Sequence, residues 1–272
     1  MSLDLQCDAL EMPENLRALF TSDPFNAVMQ LQGEVYRDVS GRKTIRVNLG
    51  GGSYFIKQHF GVGWAELLKN LASFRLPIFD ARTELQAIRR FGVIGIPTTP
   101  AVAFGRRGFN PVSRQSFLIT RDLGDIVSLE DFCRDWAASP PPAGLKRRII
   151  EEIARIARTL HDHGMNHRDF YLCHFCLDRE ALAQGRVLLY LIDLHRVGMR
   201  QRISGTARMK DLAALYFSVM DLGLGSRDYW RFIRHYRAGV SNFSSGQEQK
   251  FWRSVAARAG RLYRKYQQRG PR

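Results

Sequence analysis

The chain has 272 residues, 45% of them hydrophobic, and a formal net charge of +15, with only seven lysines among 41 basic residues. That length and apolar content support one large domain or two modest lobes and exclude a disordered chain. No apolar run approaches the roughly 18 residues that cross a bilayer, and the start, MSLDLQCDALEMPENLRALF, lacks a basic region followed by an apolar one, so neither a membrane span nor a signal peptide is expected.

An early helix is predicted from Asp23-Pro24, an N-cap followed by proline at the first helical position, running through Phe25, Val28, Met29 and Leu31. Glu34 to Arg37, Lys43 to Leu49 and Ser53 to Lys57 then read as three antiparallel strands, turning around Ser40-Gly41 and Gly50-Gly51-Gly52, with Lys57 ending the third. Asp80 to Gly92 reads as a helix with an acidic N-cap, apolar Leu85, Ile88 and Phe91, and a glycine stop. Thr99 to Phe104 and Ser116 to Thr120 bring the sheet to about five strands, and Arg121 to Gly124 reads as a connector.

Beyond Ser128-Leu129-Glu130-Asp131, which resembles a capping box, the pattern is helical except near Val187 to Ile192. Pro140-Pro141-Pro142 is expected to end one helix. Leu145, Ile149, Ile150, Ile153, Ile156, Ala157 and Leu160 stripe the next, which stops at Gly164. The expected organisation is therefore α+β and bilobal: a strand-rich, nucleotide-binding lobe over residues 1–124, and a helical lobe over 125–272 carrying the catalytic loop and the metal and acceptor sites.

Phosphoryl transfer from a nucleotide requires a cation on the phosphates, a carboxylate holding magnesium and a carboxylate beside the acceptor hydroxyl. Lys57, Glu84, Asp169 within His167-Arg168-Asp169, and Asp193 after Val187 to Ile192 supply these in chain order, and the arrangement resembles the protein-kinase-like fold. That resemblance implies that Lys57 holds the ATP phosphates and pairs with Glu84, that Asp169 takes the hydroxyl proton with His167 and Arg168 beside it, and that Asp193 binds Mg²⁺. Alone, Lys57 and Glu84 read equally as an ordinary salt bridge, and Asp193 as a turn residue.

Two departures stand out. No G-x-G-x-x-G precedes Lys57; the turn reads Arg37 to Lys43, where Arg42 and Lys43 add charge for phosphates or simply flank a hairpin. Five residues after Asp169, where a second metal ligand is normally asparagine, stands His174, which binds metal, positions the loop or packs.

Asp169 to Phe175, Ile192 to Arg196 and Lys210 to Ser218, with Leu31 to Arg37, Gly61 to Trp64, Lys69-Asn70-Leu71 and Ala81 to Glu84, resemble the lipopolysaccharide core heptose kinase family, WaaP/RfaP. The resemblance implies transfer of the ATP γ-phosphate to a heptose hydroxyl of the lipopolysaccharide inner core, by a cytoplasmic protein peripheral to the inner membrane. It also implies that Asp211 braces the catalytic loop, and it offers acyl carrier protein, which is acidic, as a partner. A charge of +15 suits an anionic lipid-borne acceptor and an anionic membrane surface. The series Arg253, Arg258, Arg261, Arg264 and Lys265 reads as a basic helix against head groups or as a solvated face.

Three other readings stay open. Another sugar or small-molecule kinase of the same fold, or a protein kinase acting on tyrosine or serine, is the alternative among enzymes, although the missing glycine-rich turn before Lys57 disfavours a conventional protein kinase. Cys173-x-x-Cys176 near His161, His163, His167 and His174 suggests zinc, but no second such pair exists, and Cys7 and Cys133 stand apart. A basic binder of an acidic partner would explain the arginines, with nucleic acid the less favoured ligand, but would not require Lys57, Asp169 and Asp193.

Overall fold

In the computed structural model, which describes residues 8–21, 23–39, 41–61, 81–110, 113–238 and 245–269, alternation and turn chemistry in the first part of the chain produce one antiparallel sheet. Its strands are β1 (Ala9–Glu11), β2 (Glu34–Val39), β3 (Arg42–Leu49), β4 (Gly52–His59), β5 (Ala101–Arg107) and β6 (Gln115–Arg121), in the order β1-β5-β6-β4-β3-β2. There are six strands rather than five, because three N-terminal residues join β5 with no alternation of their own to announce them.

Helices α1 (Glu14–Arg17) and α2 (Pro24–Gln30) precede β2. Asp23 caps α2 as expected, accepting from the Phe25 amide at 3.0 Å. The carbonyls at the other end of α2 would be unsatisfied, and the buried Gln58 amide donates to the Val28, Met29 and Leu31 oxygens at 2.8, 3.2 and 3.3 Å. Phe25 and Val28 pack there with Ile45, Ile56, Phe117 and Ile119 as the core of this part.

Helix α3 (Arg82–Ile94) runs through Gly92, where a stop was expected, and ends before Gly95, whose φ of 72° supplies the left-handed stop. Solvent-exposed Gly92 keeps helical geometry at a cost of about 1 kcal/mol. Ser40 and Asp80, Val62 to Trp64, Lys69-Asn70-Leu71 and Cys7 lie outside the described residues.

The chain separates into two units, residues 1–90 with 99–124, and residues 91–98 with 125–272. In the second unit β7 (Ile126–Ser128) leads to α4 (Leu129–Phe132), which Ser128 caps by accepting from the Asp131 amide at 3.0 Å. No helix ends at the prolines: residues 133–138 are turns, and Pro142 instead precedes the first turn of α5 (Ala143–Asp162). The apolar stripe of α5 is buried from Ile149 to Leu160.

Gly164 ends this stretch at φ 74°, where an added Cβ would lie 2.0 Å from the Arg200 oxygen, so only glycine fits. Then follow β8 (Met165–Asn166), β9 (Phe175–Asp178), α6 (Arg179–Ala183), β10 (Leu189–Leu191), β11 (Gly198–Met199), α7 (Gly205–Ser218), α8 (Ser226–Arg237) and α9 (Ser245–Arg269). Helix α8 packs on α5, and α9 packs on α7. The expectation of a region helical but for one strand is thus corrected: β10 pairs with β9 and β9 with β7, while β11 pairs with β8. Strands of two to four residues are too short to show alternation.

Candidate active site

The predicted site residues fall into two groups, one in each unit. In the first unit the pleat of β4 turns Ile56 and Gln58 into the core and Lys57 to the opposite face. Lys57 does not end the strand; β4 continues to His59, pairing Lys57 with Thr44 on one side and Leu118 on the other. Its Nζ lies 2.5 Å from Glu84 Oε1, in the first turn of α3, where an acid also meets the positive end of the helix. Glu84 is 3% exposed and Lys57 27%, so this is a largely desolvated pair rather than a surface contact. At the hairpin, Lys43 donates to Gln32 Oε1 at 3.2 Å, and Arg42 stands opposite Val39 and His59.

In the second unit two loops hold the remaining predicted site residues, and the two small sheets clamp both. Residues 167–174 leave β8 and enter β9, while residues 192–197 leave β10 and enter β11. Asn166 is opposite Gly198 and Phe175 opposite Leu191, so the loops are tied at both ends. Ile192 joins their middles: its amide donates to the His174 oxygen at 3.0 Å, and its oxygen accepts from His167 Nε2 at 3.0 Å.

The first of these loops is braced by Asp211 of α7, 1% exposed, which accepts from the His167 amide at 2.7 Å and the Arg168 amide at 3.0 Å. His161 Nε2 approaches the same carboxylate at 3.4 Å while its Nδ1 meets the Tyr236 hydroxyl at 2.8 Å. Arg168 has φ 72° and Asp193 φ 62°; these are the non-glycine residues with positive φ among those described, and both lie in the two loops. Such backbone costs on the order of 1–2 kcal/mol per residue and persists only where the surroundings hold it.

His174 links the two aspartates. Its Nδ1 donates to the Asp169 main-chain oxygen at 2.6 Å, which leaves Nε2 free of that proton, and Nε2 stands 3.6 Å from Asp193 Oδ2. An imidazole fixed through one nitrogen, with the other near a carboxylate, is a donor set that fits a divalent cation. Among the described residues no three His, Cys, Asp or Glu side chains gather to hold an ion alone. Mg²⁺ accepts such a sparse set, because phosphate oxygens and water complete its shell.

Two residues here had no assigned role in the sequence. Arg196 Nη1 donates to Asp169 Oδ1 at 2.8 Å and Oδ2 at 3.0 Å, and His195 Nδ1 contacts Asp193 Oδ1. The only signal was position, directly after Asp193. His167, expected beside Asp169 as a reacting group, is completely buried, and burial lowers its pKa.

The zinc reading loses its ligands. His161 and His167 are engaged as described, His163 Nδ1 donates to the Thr159 oxygen at 2.8 Å, and burial pushes the Cys173 and Cys176 thiols up to about 11. Cys133, the buried C-cap of α4, is pushed up by burial to about 12.

The family described as "Lipopolysaccharide kinase (Kdo/WaaP) family" matches residues 26–236. The lipopolysaccharide core heptose(I) kinase WaaP of Escherichia coli is 42% identical over 255 residues, covering 93% of this chain and 96% of that protein. The protein of the same name from Pseudomonas aeruginosa is 47% identical over 215 residues, 79% of this chain and 80% of that one. Among solved structures, one described as WaaP in complex with acyl carrier protein superposes with a TM-score of 0.78 at 39% identity, covering 94% of this chain and 99% of that one. A lysine–glutamate pair behind a small sheet, a braced aspartate loop and a second aspartate loop, with similarity along nearly the whole chain, lead to one conclusion: the chain belongs to the lipopolysaccharide kinase (Kdo/WaaP) family.

Proposed function

We propose that this protein is an ATP-dependent kinase that phosphorylates a heptose hydroxyl of the lipopolysaccharide inner core. The observation that carries the reading is the constellation of Asp169, His174 and Asp193, standing in a chain similar over most of its length to heptose(I) kinases.

Lys57, held by Glu84, takes the ATP phosphates, and Arg42 and Lys43 add positive charge for them. Asp193 and His174 would hold Mg²⁺, which when bound would neutralise charge on the phosphates. Asp169 accepts the proton of the heptose hydroxyl, and Arg196, on both of its oxygens, keeps the carboxylate in one orientation. His167 and Arg168 position this loop rather than react: one through its ring on the Ile192 oxygen, the other through its amide on Asp211.

No helix among the described residues is long and apolar enough to cross a membrane, and the net charge of +15 suits peripheral contact with an anionic membrane at the cytoplasmic face. Helix α9 exposes Arg253, Arg261, Arg264 and Lys265 for such contact. Acyl carrier protein is the proposed protein partner, supported by the solved WaaP described in complex with it.

The test is transfer of label from γ-labelled ATP, with Mg²⁺, to lipopolysaccharide whose inner-core heptose lacks phosphate. Label on the heptose supports the reading, and label appearing only on other sugars or on protein would replace it with a different kinase of the same fold.

A further inference from the structure

One face of α5 carries cations that the proposed reaction does not use. Arg148, Glu151, Glu152, Arg155 and Arg158 recur at helical spacing on the side away from the buried stripe. With residues 185–188, which join α6 to β10, and His235 of α8, they line an open cleft of about 660 Å³ in the second unit. None of the residues placed in phosphoryl transfer lines it.

Both carboxylates in the cleft are already engaged. Glu152 accepts from Arg155 Nε and Nη2 at 2.8 and 2.7 Å, and Glu151 faces His235 Nε2 at 3.4 Å and Arg231 Nε at 3.8 Å. The other three arginines have no carboxylate partner among the described residues. Arg148 Nη1 donates to the Gly185 oxygen at 3.1 Å, Arg186 Nη2 to Gln184 Oε1 at 2.8 Å, and Arg158 Nη1 to the His235 oxygen at 3.2 Å. Each bond fixes one nitrogen and leaves the rest of the fork without an acceptor among the described residues. Satisfying the last turn of α8 accounts for Arg158, but not for two more guanidiniums gathered at the turn of residues 184–186, where like charges repel unless an anion joins them.

We propose that this cleft binds a ligand bearing two or more phosphate groups, one between Arg148 and Arg186 and another toward Arg158. Arg148 and Arg158 are ten residues apart, about 15 Å along α5, so a single carboxylate serves one end and leaves the other unpaired. A phosphate offers several oxygens to planar forks that hold it through parallel hydrogen bonds. Two sources carry that chemistry: a soluble polyphosphate, and neighbouring phosphate head groups of a lipid surface. The inference is independent of the kinase reading, since it uses none of the residues assigned to transfer.

Two probes test it on the full chain: metal-free inorganic tripolyphosphate titrated calorimetrically, and vesicles of phosphatidylcholine with phosphatidic acid. Wild type is compared with Arg148→Gln/Arg186→Gln and with Lys57→Met/Glu84→Leu. Arg148 and Arg186 are exposed, so their replacement is expected to leave the unfolding midpoint unchanged. Affinity for tripolyphosphate is expected to fall about tenfold or more in the arginine variant and to persist in the lysine variant, which lacks the cation proposed for the ATP phosphates. Vesicle binding weakened by the arginine substitutions identifies head groups as the source. Vesicle binding unchanged by them, with tripolyphosphate binding lost, identifies a soluble polyphosphate. Equal affinity of wild type and the arginine variant for both probes, or tripolyphosphate binding lost only in the lysine variant, would overturn the site. Tetraglutamate competing as well as tripolyphosphate would overturn it in favour of a surface for an acidic peptide.

Discussion

Arg196 holds Asp169 by both oxygens, 2.8 and 3.0 Å from one guanidinium nitrogen. Arg196 is 51% exposed, so the pair contributes at most about 1 kcal/mol to stability, and in the proposed reaction it would fix the carboxylate that meets the acceptor hydroxyl. Arg196→Ala is therefore expected to leave the melting temperature within a few degrees of wild type and to lower kcat about tenfold. An unchanged kcat would remove Arg196 from the site.

Asp211 has the opposite profile. It is buried and satisfies two main-chain amides of the catalytic loop, one belonging to Arg168 in its left-handed conformation. Asp211→Ala should cost about 3–5 kcal/mol of unfolding free energy, read from urea titration, with Asp211→Asn losing less because its amide oxygen still accepts. A loss below about 1 kcal/mol for the alanine variant would contradict the bracing role.

Lys57 and Glu84 are predicted to separate activity from stability. Lys57→Met leaves a buried carboxylate without its partner and should destabilise by on the order of 2 kcal/mol while abolishing transfer. Adding Glu84→Leu should return most of the stability and none of the activity. Recovery of turnover in the double variant would show that the pair is only structural.

His161 makes stability depend on pH. Burial holds its pKa below the ordinary 6.5, against the pull of Asp211, so the ring is neutral in the fold and charges more readily when unfolded. Because the folded pKa is the lower one, the contribution is fully present above about pH 6.5. It is lost as pH falls from there toward the folded value, at up to about 1.4 kcal/mol per pH unit. Unfolding free energies at pH 7.5 and 5.5 should fall further apart in wild type than in His161→Gln, and equal differences would exclude this origin.

Much of the framework was legible because it rests on local chemistry. Asp23-Pro24 starts a helix, the pleat of residues 52–59 turns Lys57 away from the core face, and the stripe of α5 leads to Gly164 and the loop that carries Asp169. What was hidden depends on tertiary pairing. Arg196 and Asp169 are brought together only because β8 with β11 and β9 with β10 clamp two loops, and those strands are too short to leave a pattern. Gly92 and Gly95 look alike in sequence, and only the backbone at the helix end determines which takes positive φ. Arg258 reads as one more exposed cation until the packing of α9 turns it inward.

The most direct measurement compares wild type with Asp169→Asn in transfer of labelled γ-phosphate from ATP to lipopolysaccharide with an unphosphorylated inner-core heptose, with melting temperature and nucleotide binding followed in parallel. Label is expected on the heptose with wild type, with a loss of at least about a thousandfold in the variant at unchanged melting temperature and ATP affinity. Transfer at the wild-type rate by Asp169→Asn, or none by a folded wild-type chain that binds ATP, would contradict the proposed reaction.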